Sequence, residues 1–260
     1  MTMKKWIQLA AFVTAVTFIS SCGGGVKTLR SIPRSERKGL AALNFMNNTQ
    51  KSRAEEFQPW EVGLSSMLTT DIESIGLFNI ISKERMKDVM KEQEIQMTGL
   101  VNEKDIVNVG KLVGASYILA GAFTEMNGMM RIESQVYSVE KGIQLGTASV
   151  QGKTSDFFDL EKQLVTKVSD FLNVVLTENE QVVIKAKVET KSVEASLSNY
   201  KGEIELAKAK ELEERGKKEE ALKLKQVAKE EFQKALKEDP NYEKAKQNLA
   251  KIVSAIPVTL

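Results

Sequence analysis

Cys22 is the one cysteine in a chain of 260 residues that has no histidine. A single thiol has few uses. It closes no intrachain disulfide and builds no cysteine-based metal site by itself. The lack of histidine removes the commonest general base and the commonest metal ligand together. No nucleophile motif and no phosphate-binding loop takes their place, and the sequence places no cleft for a pair of catalytic carboxylates. No catalytic or metal-binding residue is therefore assigned, no cofactor is called for, and an enzyme is not expected. What Cys22 has is a context. Lys4 and Lys5 give a positive start, Trp6 to Ile19 is apolar, and Ser20 and Ser21 are small. That order reads as an export signal over residues 1–22. The apolar stretch is short for a membrane span, which takes about 20 apolar residues.

The junction Ile19-Ser20-Ser21-Cys22 resembles the lipobox of bacterial lipoproteins. The resemblance implies cleavage before Cys22, a diacylglycerol on its thiol and a further acyl chain on the new amino terminus. Several acyl chains, at ~0.8 kcal/mol per buried methylene, make a stable anchor. Glycine at position 23, in place of aspartate, resembles an outer-membrane address. The expected location is the outer membrane, lipid-anchored and facing the periplasm. The formal net charge is +2, and Lys4 and Lys5 leave with the leader, so the rest is near neutral. No basic face is interleaved with aromatics, so no nucleic-acid partner is expected.

The elements behind the anchor follow from periodicity. Residues 23–38 are polar, hold Pro33 and four Arg/Lys before Lys38, and read as a flexible tether. Leu40 to Phe45 reads as a buried strand. Phe57 to Ile75 carries Leu64, Met67, Leu68, Ile72 and Ile75 at the spacing of one helix face, and Gly76 ends it. Phe78 to Ile81 is a second strand, and Ser82 caps a helix from Lys83 to about Ile95. Asn102 caps another helix, closed by Gly114. Three strands follow: Ser116 to Met126, the most apolar and expected to be central; a half-exposed strand after Asn127-Gly128, a two-residue hairpin signal; and Ile143 to Gln151 after Lys141-Gly142. A helix begins at Asp156. The order βαβα(α)βββα predicts an α+β domain over 39–176, a sheet covered by helices on one side. Residues 177–198 read as an extended or helical connector.

Residues 199–254 are rich in Ala, Glu, Lys and Leu and read as a helical hairpin. Ala228, Phe232, Ala235 and Pro240 match the second helix of a tetratricopeptide repeat, giving a TPR-like hairpin. Ala221 and Ala235 stand 14 apart where the repeat has about 7, so seven residues look inserted. One such repeat is too few for an independent array. The hairpin must pack on the first domain or dock on another chain.

Residues 39–176 also resemble a family. Phe78-Asn79-Ile80-Ile81-Ser82-Lys83-Glu84-Arg85, then Met90-Lys91-Glu92-Gln93, is similar to the signature of the curli secretion lipoproteins of the CsgG type. Gly99-Leu100-Val101 and the run from Gly110 through Gly114, Ala115 and Ser116 to Gly121 match the next blocks, and Leu40 to Phe45 the opening strand. Flagellar accessory lipoproteins, the amino-terminal domain of TolB and LpoB-type activators share the architecture. The resemblance implies a non-catalytic envelope protein with envelope protein partners, and it leaves a homo-oligomer open. On their own chemistry Gly99, Gly114 and Gly121 read as turn or close-packing residues. Glu84, Arg85, Glu92 and Gln93 read as a capping and salt-bridge set on one helix. The curli channels carry two membrane hairpins in the three-strand region, which add about 40 residues at 9–11 per strand. Between Gly121 and Leu160 there is no room for them. A soluble domain on a lipid tether is expected, with an oligomeric secretion channel as the second reading.

Overall fold

Strand alternation divides the core in two. In β1 (Lys38–Ala42), Leu40 and Ala42 enter one apolar cluster and Ala41 enters another. The computed structural model describes residues 30, 32–92 and 102–255. Its sheet runs β3 (Phe78–Ile80), β1, β4 (Tyr117–Met126), β5 (Met129–Ser138), β6 (Ile143–Lys153), with the short β2 (Met46–Asn47) also paired to β4. β1 lies parallel to β3 and to β4, with Lys38 opposite Phe78 and Leu40 opposite Tyr117. The β4–β5 and β5–β6 pairs are antiparallel. β4 is central, as its apolar sequence predicts.

Helices cover both faces, not one. Between β1 and β3 the chain passes through α1 (Lys51–Phe57) and α2 (Trp60–Ile75). It then returns through α3 (Lys83–Glu92) and α4 (Glu103–Val113) to β4, on the other side of β1. Parallel crossovers are right-handed, so steps in opposite directions put their helices on opposite faces. α2 and α5 (Phe157–Phe171) pack with Leu40, Leu119, Phe123, Ile132 and Val150. α3 and α4 pack with Ala41, Ile118, Ala120 and Tyr137. Beyond α4 this second face is polar, with Arg131 opposite Gln151 and Glu133 opposite Ser149.

The local signals hold where they are strong. Asn102 accepts from Lys104 N at 2.9 Å. Gly76 and Gly114 close α2 and α4 in the left-handed conformation. Asn127 and Gly128 both have positive φ, the two-residue turn expected there. The predicted helix over 57–75 is split. Pro59 has no N–H to continue α1, and α2 restarts at Trp60.

Part of the connector is helical: α6 (Glu178–Ala186) precedes α7 (Val193–Glu214). α8 (Lys218–Glu238) and α9 (Glu243–Ala255) complete the chain. Small residues recur every seven positions on both long helices. α7 buries Ala195, Gly202 and Ala209, and α8 buries Ala221, Ala228 and Ala235. A seven-residue repeat keeps a seam facing its partner. The seven extra residues between Ala221 and Ala235 are thus one whole heptad, with Ala228 on the same seam. Phe232 fills the notch over Gly202, where a Cβ would come within 2.5 Å of its ring. Pro240 is exposed after the end of α8.

Of the two outcomes open to the hairpin, the structure shows packing on the sheet domain. Tyr200 of α7 enters the larger core and lies over Gly63 of α2. Trp60 Nε1 donates to Ser196 Oγ at 3.3 Å, and its ring stacks on Phe157 at 3.6 Å. Lys87 of α3 pairs with Glu211 of α7.

Candidate functional site

The residues implicated by the lipobox, Ile19, Ser20, Ser21 and Cys22, lie outside the described residues, as do Gln93 and Gly99. The structure does show where the chain from Cys22 joins the fold. Arg30 N donates to Ile75 O at 2.9 Å. Its guanidinium donates to both carboxylate oxygens of Glu180, at 2.5 and 2.7 Å, and to Val175 O at 2.7 Å. Glu180 also closes the capping box of α6 with Thr177. Arg30, with Thr177 behind it, holds the Glu180 carboxyl down to about 2. Residues 34–36 then form a short turn, and Asn79 donates to Arg34 O at 2.8 Å. The segment read as a tether over 23–38 is therefore held to the fold from Arg30 onward.

The family-motif residues fall into two groups. Glu84, Arg85 and Glu92 are exposed on α3, and among the described residues no ion pair joins them. The cap is supplied by Ser82, whose Oγ accepts from Arg85 N at 3.2 Å. Gly110, Gly121 and Ala115 are packed closely, while Gly114 serves as the left-handed cap of α4. A Cβ at Gly110 would stand 2.4 Å from Val139, and one at Gly121 would stand 2.3 Å from both Glu133 O and the Phe45 ring. Ala115 is buried, with its N–H on Gly110 O at 2.9 Å.

Two clusters of charged groups, one buried and one half-buried, were not found from the sequence. Lys162 of α5 pairs with Asp71 of α2 and stands 3.0 Å from Glu161 Oε2, too far off line for a good hydrogen bond. Burial, then the nearby Asp71, pushes the Glu161 carboxyl up to about 8. Burial also raises Asp71, against the pull of Lys162. Burial lowers Lys162, but Glu161 and Asp71 more than reverse it, and its pKa ends above the lysine norm. The signal was a charge inside an apolar stripe: Asp71 between Leu68 and Ile72, and Glu161 beside Leu160 and one turn before Leu164.

The second cluster lies where the sheet domain meets the C-terminal helices, with Lys83 near Glu203 and Lys244. Lys83 donates to Val62 O at 2.8 Å and Ser65 Oγ at 2.9 Å, and burial lowers it to about 8. Lys244 donates to Tyr200 Oη at 3.0 Å and faces Glu203 at 3.4 Å and Glu189 at 3.7 Å. Tyr242 Oη donates to Glu189 at 3.1 Å. These bonds tie helix to helix.

A cleft of about 340 Å³ opens at the far end of the sheet, beside Arg53, Phe57, Glu125, Gly128 and Lys191. Glu125 is buried there, held by Arg53 at 2.5 Å and by Gly128 N at 2.7 Å. Its oxygens pin the β4–β5 turn. Among the described residues no group of three or more His, Cys, Asp or Glu is placed to hold a metal, and no helix is long and apolar enough to cross a membrane.

Among solved structures, the chain is similar to the C-terminal domain of LpoB from Escherichia coli, at 14% identity and a TM-score of 0.34, over 45% of this chain and 83% of that one. It is similar to TolB from Acinetobacter baumannii at 17% identity and 0.33, over 53% and 27%. It is similar to the PelC dodecamer from Paraburkholderia phytofirmans at 16% identity and 0.30, over 55% and 92%. No curated protein matches the chain. The family model described as "Curli production assembly/transport component CsgG" matches residues 26–193, from four positions before Arg30 through the whole sheet to the start of α7, and the chain belongs to that family.

Proposed function

We propose that this chain is a lipid-anchored cell-envelope protein of the CsgG family, cleaved before Cys22 and acylated there. It acts without catalysis as an assembly, secretion or activator component on the periplasmic side of the outer membrane. The observation that carries the reading is Cys22 itself: the sole cysteine, placed after a positive, apolar and then small-residue leader. The fold supports it in two ways. The chain that leaves Cys22 is clamped at Arg30. Residues 117–153 are used up by β4, β5, β6 and two tight turns within one sheet. A tethered domain fits these facts better than a channel subunit.

The test is metabolic labelling with a clickable palmitate analogue, followed by membrane fractionation, on the native chain and on Cys22→Ser. Label on the native chain, with loss of both label and membrane association in Cys22→Ser, is the expected result. An unlabelled native chain, or a Cys22→Ser chain that stays with the membrane, overturns the anchor.

A further inference from the structure

We infer that the end of the fold where Arg30 is clamped lies against an anionic lipid leaflet, so that the β4–β5 turn points away from the membrane. The inference rests on the anchor at Cys22 and adds an orientation to it. Eight peptide steps separate Cys22 from Arg30. An extended chain covers at most about 3.6 Å per residue, so Arg30 stays within about 29 Å of the acylated residue. That short leash gives nearby groups a high effective concentration at the surface, where weak contacts suffice.

The strand registers say which groups are near. Lys38, Phe78, Tyr117, Ser138 and Ile143 mark one end of the sheet, and Arg30 bonds Ile75 just before Phe78. Val175, whose carbonyl Arg30 holds, is 83% exposed, and Val182 on α6 is 63% exposed. Lys185 follows one turn later on the same exposed helix face. Arg34 and Lys38 are exposed on the entering chain, with Glu36 as the acid between them. Glu180 is already taken up by Arg30, and Glu178 is the exposed acid one turn before Val182 on α6. Exposed valines flanked by cations suit the boundary between acyl chains and anionic headgroups. Met126 and Met129 turn the hairpin at the opposite end of β4. At about 3.3 Å per residue, β4 carries that turn roughly 30 Å from Tyr117.

The test places an environment-sensitive fluorophore at Val182→Cys or at Met126→Cys in the acylated full-length chain. Each protein is reconstituted into vesicles of phosphatidylcholine and phosphatidylglycerol, with or without a headgroup-quencher lipid. Both positions are exposed, so folding survives the label. Quenching several-fold greater at 182 than at 126 is expected. It should fall toward the 126 level in an Arg34→Gln/Lys185→Gln variant and in vesicles of phosphatidylcholine alone. Equal quenching at the two positions, or more at 126, while the protein still floats with the vesicles, overturns the orientation and leaves the anchor standing. Failure to float overturns the anchor, and the orientation with it.

Discussion

Gly63→Ala sets two opposed effects against each other where α7 meets α2. On helix propensity alone the change is favourable, because alanine in a helix interior is about 1 kcal/mol better than glycine. Packing opposes it. A Cβ at position 63 would stand 2.6 Å from Cδ2 of the Tyr200 ring and 2.9 Å from Cγ and Cε2. The ring has little freedom to yield, since Tyr200 is fully buried and Lys244 holds its hydroxyl at 3.0 Å. Overpacking of this kind costs about 1–3 kcal/mol, which leaves a net loss of up to about 2 kcal/mol. In a Tyr200→Ala background the wall is gone, and the same change should gain about 1 kcal/mol. Tyr200→Ala alone should cost about 3–5 kcal/mol. The sign reversal is a coupling of about 1–3 kcal/mol, measurable by a double-mutant cycle. Trp60 is the natural probe. Its Nε1 reaches Ser196 of α7, and the only other tryptophan, Trp6, falls within the proposed leader. Urea titrations followed by its fluorescence give the four free energies. If Gly63→Ala stabilises the chain equally in both backgrounds, α7 does not sit on α2 through Tyr200.

Two further outcomes follow from buried groups. Glu161 has a folded pKa of about 8 against an ordinary 4.5, so the folded state holds its proton over that window. A raised carboxyl leaves stability in full below about 4.5 and loses it as pH climbs through about 8. Glu161→Gln should therefore flatten the decline in urea midpoint between acid and pH 8, and a variant with the native slope would show that Glu161 is not the group responsible. Gly121→Ala would drive a Cβ into the backbone oxygen of Glu133 and the Phe45 ring, both at 2.3 Å. Backbone gives way less readily than a side chain, so the cost should reach or exceed the usual 1–3 kcal/mol for overpacking; a melting temperature unchanged by the substitution would refute the close contact.

What the sequence showed was mostly local. Gly76, Gly114, Asn102 and Asn127-Gly128 act through their own backbone or the next few residues, and the structure finds each one doing so. The central place of β4 was legible because a strand covered on both faces has little alternation. The second layer of helices was not legible. It depends on β4 lying beyond β1 from β3, and strand order is set by contacts far apart in sequence. Docking of α7 escaped for a related reason. Gly63 and Tyr200 are 137 positions apart, and neither is unusual in its own helix. Asp71 and Glu161 did leave a trace, since each interrupts an apolar stripe. Only the structure shows Lys162 between them.

The clamp at Arg30 changes what the anchor at Cys22 would allow. A free tether over 23–38 would let the domain roam about 58 Å from the acylated residue, at about 3.6 Å for each of 16 steps to Lys38. With Arg30 fixed by Glu180, Val175 and Ile75, the eight steps to it halve that distance. Glu180 cannot be altered for one purpose alone, because the same carboxylate caps α6 through Thr177. A change there would loosen the tether and the helix carrying Val182 together. The partners of this domain would then be met within a shell about one sheet-height beyond the leash, with the β4–β5 turn and its adjoining cleft at the outer edge. A lipid at Cys22 would in this way be both an attachment and a limit on how far the fold can reach.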